Sequence, residues 1–388
     1  MSSQPTILVT GASGFLGGRL VEQLLAEGRW HVRAMAHRPG GAVRLARLGV
    51  EIAWTDLLKQ DEVRAAVEGV AAVVHCAYGT DPRAARATTV DGTRNLLQAA
   101  RAAQVKQVVH ISTIGVHSYS PPPNVTEDSP CVKSRDDYCN AKIEAEQVVR
   151  NICPTATILR MGNIYGPWSL PWTVRPLAHI GEGKASVVDS GQHASNMVFI
   201  DNAVEAIRLS LATERAAGET IFITDDPCSW AEMYGAYATW LGRELRSVDS
   251  NELRSYIWPA WYNRWGSLMR EIWQGILVPS MRYTAFRAAV SPRLGAGLSR
   301  LWQKLPVAIR YRLVGDPMGR SVPAAAEFAD SRPATLPPAG LLELYAGRTV
   351  FSNEKAERVL GYGPCVTRQE ALERTRLWAE WARLIGTT

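Results

Sequence analysis

Short apolar runs recur through the first part of the chain, at residues 7–9, 31–36, 50–54, 71–76, 107–112 and 157–160. Most are continuous rather than alternating, as strands covered by helices on both faces should be. Segments with helical spacing separate them, the first from Gly18 to about Glu27. The alternation predicts an α/β fold, a Rossmann-type doubly wound parallel sheet, with a smaller and mainly helical C-terminal lobe for substrate. The expected division is 1–165 for the sheet domain, with 195–225 returning to it, and 166–194 plus 226–388 for the second lobe.

The first apolar run leads at once into Gly11-Ala12-Ser13-Gly14-Phe15-Leu16-Gly17-Gly18. Glycine-rich turns are frequent for purely structural reasons. A glycine turn between a first strand and a first helix is more specific, because a free helix N-terminus favours anions such as a dinucleotide pyrophosphate. The spacing is GxxGxxG, one residue longer at the front than the commoner fingerprint.

A second group lies downstream. Tyr138 and Lys142 stand at i and i+4, on one face of an expected helix. There a lysine cation, together with a nicotinamide, would lower the phenol pKa toward working pH and fit it for general acid–base work. In isolation such a pair is most simply a solvated helix face. Here it follows Ser112-Thr113 at the end of the fifth apolar run, at the carboxyl edge of the sheet where ligands bind.

Composition narrows the picture. The 388 residues are 46% hydrophobic and 21% charged, with net charge +6, enough for a full core and a second lobe. The six cysteines have no paired or metal-like spacing, and the seven histidines form no ligand cluster, so free thiols and no metal are expected. No leader precedes the first strand in the sequence and no stretch of apolar residues is long enough to span a bilayer, so a cytoplasmic protein is expected.

These residues resemble the extended short-chain dehydrogenase/reductases, the group that includes the NAD-dependent epimerase/dehydratases. The likeness covers most of the first 225 residues. Thr10 to Gly17 is similar to the family's TGxxGFLG turn, and Asp56-Leu57 to its adenine-contacting acidic position. Cys76-Ala77-Tyr78 stands where the family's chain passes the cofactor. Val90 to Asn95 resembles the NVxGTxN motif, Arg160 to Pro167 the LRxxNVYGP segment, Phe199 to Asn202 the Val-Asp-Asp step, and Asn353 to Pro364 the "KA…LGYxP" ending. The resemblance implies that Thr113, Tyr138 and Lys142 are catalytic and that Ser112 and Asn163 face substrate. It implies a cofactor site made by Gly11, Ser13, Gly14, Phe15, Leu16, Gly17, His37, Arg38, Asp56, Leu57, Cys76, Ala77 and Tyr78, with Tyr138 and Lys142. A homodimer is the expected assembly.

Departures from the pattern carry information. Thr89 replaces a common asparagine that helps order a water in the proton relay, and Met161 replaces a proline. Ser195 falls where sugar-nucleotide members carry an arginine, which would hold a pyrophosphate through bidentate charge-assisted bonds. After the second run the chain reads Ala36-His37-Arg38 with no acid, so Arg38 can pair with a 2′-phosphate. This favours NADP(H), with NAD(H) the alternative.

Residues 251–320 differ in character. They hold eleven Arg or Lys against three acids, a charge of +8, and five of the thirteen tryptophans. Trp258, Trp261, Trp265, Leu268, Ile272 and Ile276 form one apolar stripe, and Leu298, Leu301, Trp302, Leu305 and Ile309 another. Basic amphipathic helices of this kind suit a membrane surface or a lid over the substrate pocket; no nucleic-acid module is visible. Residues 321–340 read as a Pro/Ala-rich loop.

The expected function is an NADP(H)-dependent ketone reductase or alcohol dehydrogenase acting on a hydrophobic substrate, on the 3β-hydroxysteroid dehydrogenase and dihydroflavonol reductase side of the family. The alternatives are a sugar-nucleotide epimerase or dehydratase, favoured by Asn163, and a non-catalytic NADP-binding sensor.

Overall fold

All six apolar runs become strands of one parallel sheet in the computed structural model, which describes residues 4–80, 84–119, 121–134, 136–250 and 339–386. In chain order the elements of the first part are β1 (Thr6–Thr10), α1 (Phe15–Glu27), β2 (His31–Ala36), α2 (Val43–Arg47), β3 (Glu51–Trp54) and α3 (Gln60–Val67). They continue with β4 (Val70–His75), α4 (Gly92–Ala102), β5 (Gln107–Thr113), α5 (Asp137–Ile152) and β6 (Thr157–Met161). Next come β7 (Asn163–Tyr165), α6 (Arg175–Gly181), β8 (Ser186–Val188), β9 (Met197–Phe199), α7 (Ile200–Ala212) and β10 (Thr220–Ile223). The described chain closes with α8 (Trp230–Trp240), β11 (Arg246–Val248), α9 (Ala339–Tyr345), α10 (Glu354–Leu360) and α11 (Arg368–Trp381).

The seven-stranded sheet runs β10-β6-β5-β4-β1-β2-β3, and every neighbouring pair is parallel. Strand order therefore reverses at β1, opening a crevice at the carboxyl ends of β1 and β4. Leu8, Val73, Leu96, Val108, Val148 and Ile158 belong to one buried cluster between the sheet and its helices. Each such side chain contributes about 1.5–3 kcal/mol by leaving water. The seventh strand, β10, is four residues long and pairs with β6. Its segment was expected to return to the sheet domain, with no strand assigned to it.

Two small parallel pairs, β7 with β9 and β8 with β11, lie outside the main sheet. Helix α7 is tied to α1 by an ion pair of Arg19 Nε with Asp201 Oδ1 at 2.6 Å. The segment after α9 is clipped to the body by amides acting as backbone mimics. Asn196 Nδ2 donates to the Thr349 carbonyl at 2.9 Å, and Phe351 N–H donates to Asn196 Oδ1 at 3.1 Å. Asn353 does the same for Thr224, accepting from its N–H at 3.0 Å and donating to its carbonyl at 2.5 Å. All described residues fall in one compact unit spanning 1–250 and 335–388. The basic stripes of 251–320, and all but the last residues of the 321–340 loop, lie outside the described residues. No helix among the described residues is long and apolar enough to cross a membrane.

Candidate active site

The glycine turn is built by close approach. Gly11 has φ +65°, and a Cβ there would stand 2.8 Å from the Ala77 nitrogen. A Cβ on Gly17 would stand 2.4 Å from the Gly11 carbonyl oxygen. Helix α1 begins at Phe15, three residues earlier than expected, because Gly14 in extended conformation takes the N-cap. No side chain caps it and its first turn holds no acid, so its N–H groups are presented to an anion. Ser13 lies beside this turn, and a Cβ on Gly41 would come within 3.3 Å of its Oγ. The loop after β2 thus folds back to the glycine turn, and its exposed His37 and Arg38 form no side-chain hydrogen bond or ion pair among the described residues. Asp56 accepts from Leu58 N–H at 3.0 Å, and Leu57 packs against Gly92 of α4.

A hydrogen-bond relay fixes the end of β4. Ala77 N–H donates to Thr10 Oγ1 at 3.2 Å, and that hydroxyl pairs with His75 Nδ1 at 2.7 Å. On the other side His75 Nε2 pairs with Thr93 Oγ1 at 2.8 Å, and Thr93 donates to the Thr89 carbonyl at 2.5 Å. Read in one direction, the chain assigns a neutral imidazole protonated on Nε2. Burial, with the charge of Lys142, pushes His75 down to about 3, in keeping with that state. Cys76, next along, is buried, and burial lifts its thiol to about 12, so it is no nucleophile.

Helix α5 carries Tyr138 and Lys142. Asp136 caps it, accepting from the N–H groups of Tyr138 at 2.7 Å and Cys139 at 3.4 Å and from the Tyr119 hydroxyl. Lys142 is almost wholly buried and donates to the Ile111 carbonyl of β5 at 2.8 Å. Burial pulls its pKa down to about 8, against the opposing pull of Cys76 and Glu146. Its Nζ lies 6.0 Å from the Tyr138 ring centroid and 5.5 Å from that of Tyr78. Tyr138 keeps 39% of its surface exposed, yet burial of its phenol, with Tyr78, Cys139 and Asp136 nearby, holds its pKa above the ordinary value. Lys142 alone therefore does not lower the phenol; the lowering expected from sequence needs the nicotinamide cation as well.

Thr113 ends β5, and its hydroxyl accepts from Gly115 N–H at 3.1 Å. The turn it begins packs on α5, since a Cβ on Gly115 would lie 2.7 Å from Cys139 Sγ. A pocket opens beside Thr113, walled in part by Ile114, Asn163, Asn196, Leu344 and Phe351. Among the described residues, no wall residue carries a charged side chain. Asn163 lines it and donates from Nδ2 to the Ser195 carbonyl at 2.8 Å. Ser195 is fully buried and donates to the Cys228 carbonyl at 3.0 Å.

Ser112 differs from its expected role. It is buried, and its hydroxyl donates to Glu146 Oε1 at 2.5 Å rather than facing the pocket. Alternation along β5 sends its side chain to the face opposite Thr113, toward an ion pair of Glu146 with Arg160 at 2.8 Å. No direct bond joins Thr113 to Tyr138 among the described residues, and Tyr138 is not among the pocket walls. Sequence reasoning missed Asn196, Leu344 and the segment after α9, because only tertiary docking brings them to the pocket. Asp136 had a readable signal, an acid one residue before a helix.

The sequence pattern of the NAD dependent epimerase/dehydratase family matches residues 7–223. The chain is 33% identical over 239 residues to sterol demethylase protein B of Methylococcus capsulatus, covering 58% of this chain and 71% of that one. It is 28% identical over 380 residues, 95% of both chains, to a 4-hydroxy-2-methyl-3-oxo-4-farnesyl-3,4-dihydroquinoline-1-oxide ketoreductase of Stigmatella aurantiaca. Among solved structures, a UDP-glucuronic acid 4-epimerase from Bacillus cereus, in complex with UDP-glucuronic acid and NAD, aligns with a TM-score of 0.63. That alignment covers 97% of this chain and 99% of the other at 18% identity, a likeness of fold.

Proposed function

The chain belongs to the NAD dependent epimerase/dehydratase family, and within it we propose an NADP(H)-dependent ketone reductase or alcohol dehydrogenase acting on a hydrophobic, lipid-like substrate. The observation that carries this reading is the pocket beside Thr113, whose described walls, Ile114, Leu344 and Phe351 among them, carry no charged side chain. A sugar nucleotide brings a doubly charged pyrophosphate, which calls for cationic partners that the walls lack among the described residues. The Stigmatella relative, similar over nearly its full length, is named for reducing the ketone of a farnesylated ring.

The residues fit a nicotinamide dinucleotide. The open N-terminus of α1 and the Gly11–Gly17 turn would hold the pyrophosphate, and Asp56 the adenine side. Arg38, with His37 beside it, would meet a 2′-phosphate. The bound cofactor supplies or takes a hydride. Tyr138 gives its proton to the substrate oxygen during reduction and takes it back in the reverse direction. Lys142 would hold the nicotinamide ribose and, with a bound nicotinamide, would make the phenol a stronger acid. Thr113 donates to the reacting oxygen and orients it. Thr89 accepts from Gly79 N–H at 3.0 Å, so its hydroxyl proton remains for the relay in which family members use asparagine.

The same reading takes 1–165 with 195–225 as the cofactor domain and the rest as the substrate lobe. It takes a homodimer as the assembly and the basic segment 251–320 as a face for a membrane or an apolar substrate, the last on sequence alone.

Identifying the nucleotide that co-purifies tests this reading against the sugar-nucleotide alternative, which Asn163 in the pocket wall favours. The reductase predicts exchangeable NADP(H) and one NADPH oxidised per external ketone reduced. Tightly held NAD that is recycled with no net oxidation would replace it with the epimerase reading.

A further inference from the structure

The chain leaving β4 is pinned on both sides of a single residue. Ala77 N–H is held by Thr10 Oγ1 at 3.2 Å, and Gly79 N–H by Thr89 Oγ1 at 3.0 Å. Gly79 also lies so close to Ala85 that an added Cβ would stand 2.3 Å from its Cα. Thr10 and Thr89 are themselves buried. The backbone at Tyr78 is therefore set by two fixed neighbours, and its side chain leaves from a defined point at the carboxyl edge of the sheet.

That side chain reaches the reactive pair. The Tyr78 ring meets the Tyr138 ring edge to face, with centroids 5.3 Å apart and planes at 69°. Lys142 Nζ lies 5.5 Å from the Tyr78 centroid, so one ring touches both functional side chains of α5. The Tyr78 hydroxyl forms no hydrogen bond among the described residues, which leaves the ring as the part in use. We propose that Tyr78 is a positioning residue whose aromatic ring gathers Tyr138 and Lys142 into one cluster and keeps water from the phenol. The proposal rests on the reading in which Tyr138 moves the proton.

The groups that face the phenol come from three places. Lys142 and Cys139 stand on α5 with Asp136 at its cap, Tyr78 stands on the loop after β4, and Tyr119 reaches Asp136 from the chain after β5. Behind Lys142 lie Cys76, His75 and His110 from the sheet and Glu146 from α5. Burial is the main cause that holds the phenol in its protonated form. Removing the ring admits water, which lowers the pH at which Tyr138 ionises.

The test uses the full chain labelled with ¹³Cζ-tyrosine, the Tyr138 resonance being assigned by its loss in Tyr138→Phe. Titration upward from neutral pH is compared for wild type, Tyr78→Phe and Tyr78→Ala, with thermal melting and NADP⁺ binding recorded on the same samples. Tyr78 is 46% exposed, so truncation leaves no sealed cavity. The expected result is a Tyr138 ionisation shifted to lower pH in Tyr78→Ala and retained near the wild-type position in Tyr78→Phe. An unshifted titration in Tyr78→Ala overturns the proposal. So does a Tyr78→Phe shift as large as that of the alanine variant, which would assign the effect to the hydroxyl. Tyr78→Phe holds the proposal open to refutation by itself, since it must keep the wild-type titration. Failure of the functional reading is separate: it would appear as turnover surviving in Tyr138→Phe, whatever the titrations show.

Discussion

The hydroxyl of Ser112 lies 2.5 Å from Glu146 Oε1, so the residue just before Thr113 is bonded into the protein interior. Glu146 also takes two bonds from Arg160, at 3.0 and 2.8 Å. Burial alone would raise the Glu146 carboxyl; its bonds from Arg160 and Ser112 outweigh that and hold it below the usual range. The network joins β6, through Arg160, to β5 and α5, the elements that carry Thr113, Tyr138 and Lys142. Removing one partner of a buried pair costs about 3–5 kcal/mol, because the other charge is left uncompensated. A single hydrogen bond to a charged group contributes about 1.5–3 kcal/mol. Glu146→Ala should therefore lower the urea midpoint far more than Ser112→Ala. Ser112→Ala should leave the substrate KM unchanged, and a large rise in that KM would return Ser112 to the pocket.

Gly17→Ala tests the cofactor cradle. Its Cβ would stand 2.4 Å from the Gly11 carbonyl oxygen, an atom of backbone that cannot swing aside. The turn must open to admit it. NADP⁺ binding, followed by calorimetry, should fall by at least about tenfold, the equivalent of about 1.4 kcal/mol. Retained affinity would place the pyrophosphate elsewhere.

Arg38→Ala should weaken NADP(H) more than NAD(H), because only the former carries a 2′-phosphate. A charge-assisted bond contributes about 1.5–3 kcal/mol, roughly tenfold to a hundredfold in affinity. Calorimetric titration with both cofactors measures the ratio. Equal losses would show that Arg38 does not read the phosphate.

Stability should depend on pH through buried groups. Burial, with Lys142, holds His75 at about 3, and burial, with Arg160, holds His117 at about 4. In the unfolded chain both titrate near 6.5, so unfolding takes up protons and stability falls as pH drops from about 6.5 toward 4. Asp225 acts in the opposite sense. Burial raises it to about 7, against the bonds from Phe199 N–H and Asn202, so its contribution is present at low pH and lost as pH rises toward 7. Asp225→Asn should therefore steepen the acid-side decline of the urea midpoint. An unchanged slope would contradict these assignments.

How much of this was legible follows from where each signal resides. The strands of residues 7–9, 107–112 and their partners announced themselves because burial on both faces requires continuous apolar runs. The glycine turn was readable because Gly11 and Gly17 answer local backbone demands. Thr113, Tyr138 and Lys142 stood out because they lie near strand and helix ends. The direction of Ser112 was misjudged because an end-of-strand hydroxyl was taken to face the cleft, although β alternation sends neighbours Ser112 and Thr113 to opposite sides. Asn196 and Leu344 could not be placed, since their roles arise from chain segments about 150 residues apart docking together. The Tyr78 contact with Tyr138 was likewise not legible, since the motifs that hold Thr10 and Thr89 do not show that their hydroxyls anchor the loop at Ala77 and Gly79.

In the proposed reaction Tyr138 passes the proton while hydride moves between NADP(H) and a hydrophobic carbonyl. Its most direct measurement is the rate of NADPH oxidation with a panel of hydrophobic ketones, for wild type and Tyr138→Phe, with NADPH affinity taken on both. Loss of a general acid typically costs about 10² to 10⁴ in rate. The account predicts that Tyr138→Phe loses turnover to that extent while binding NADPH as wild type does. Full ketone reduction by Tyr138→Phe would contradict it.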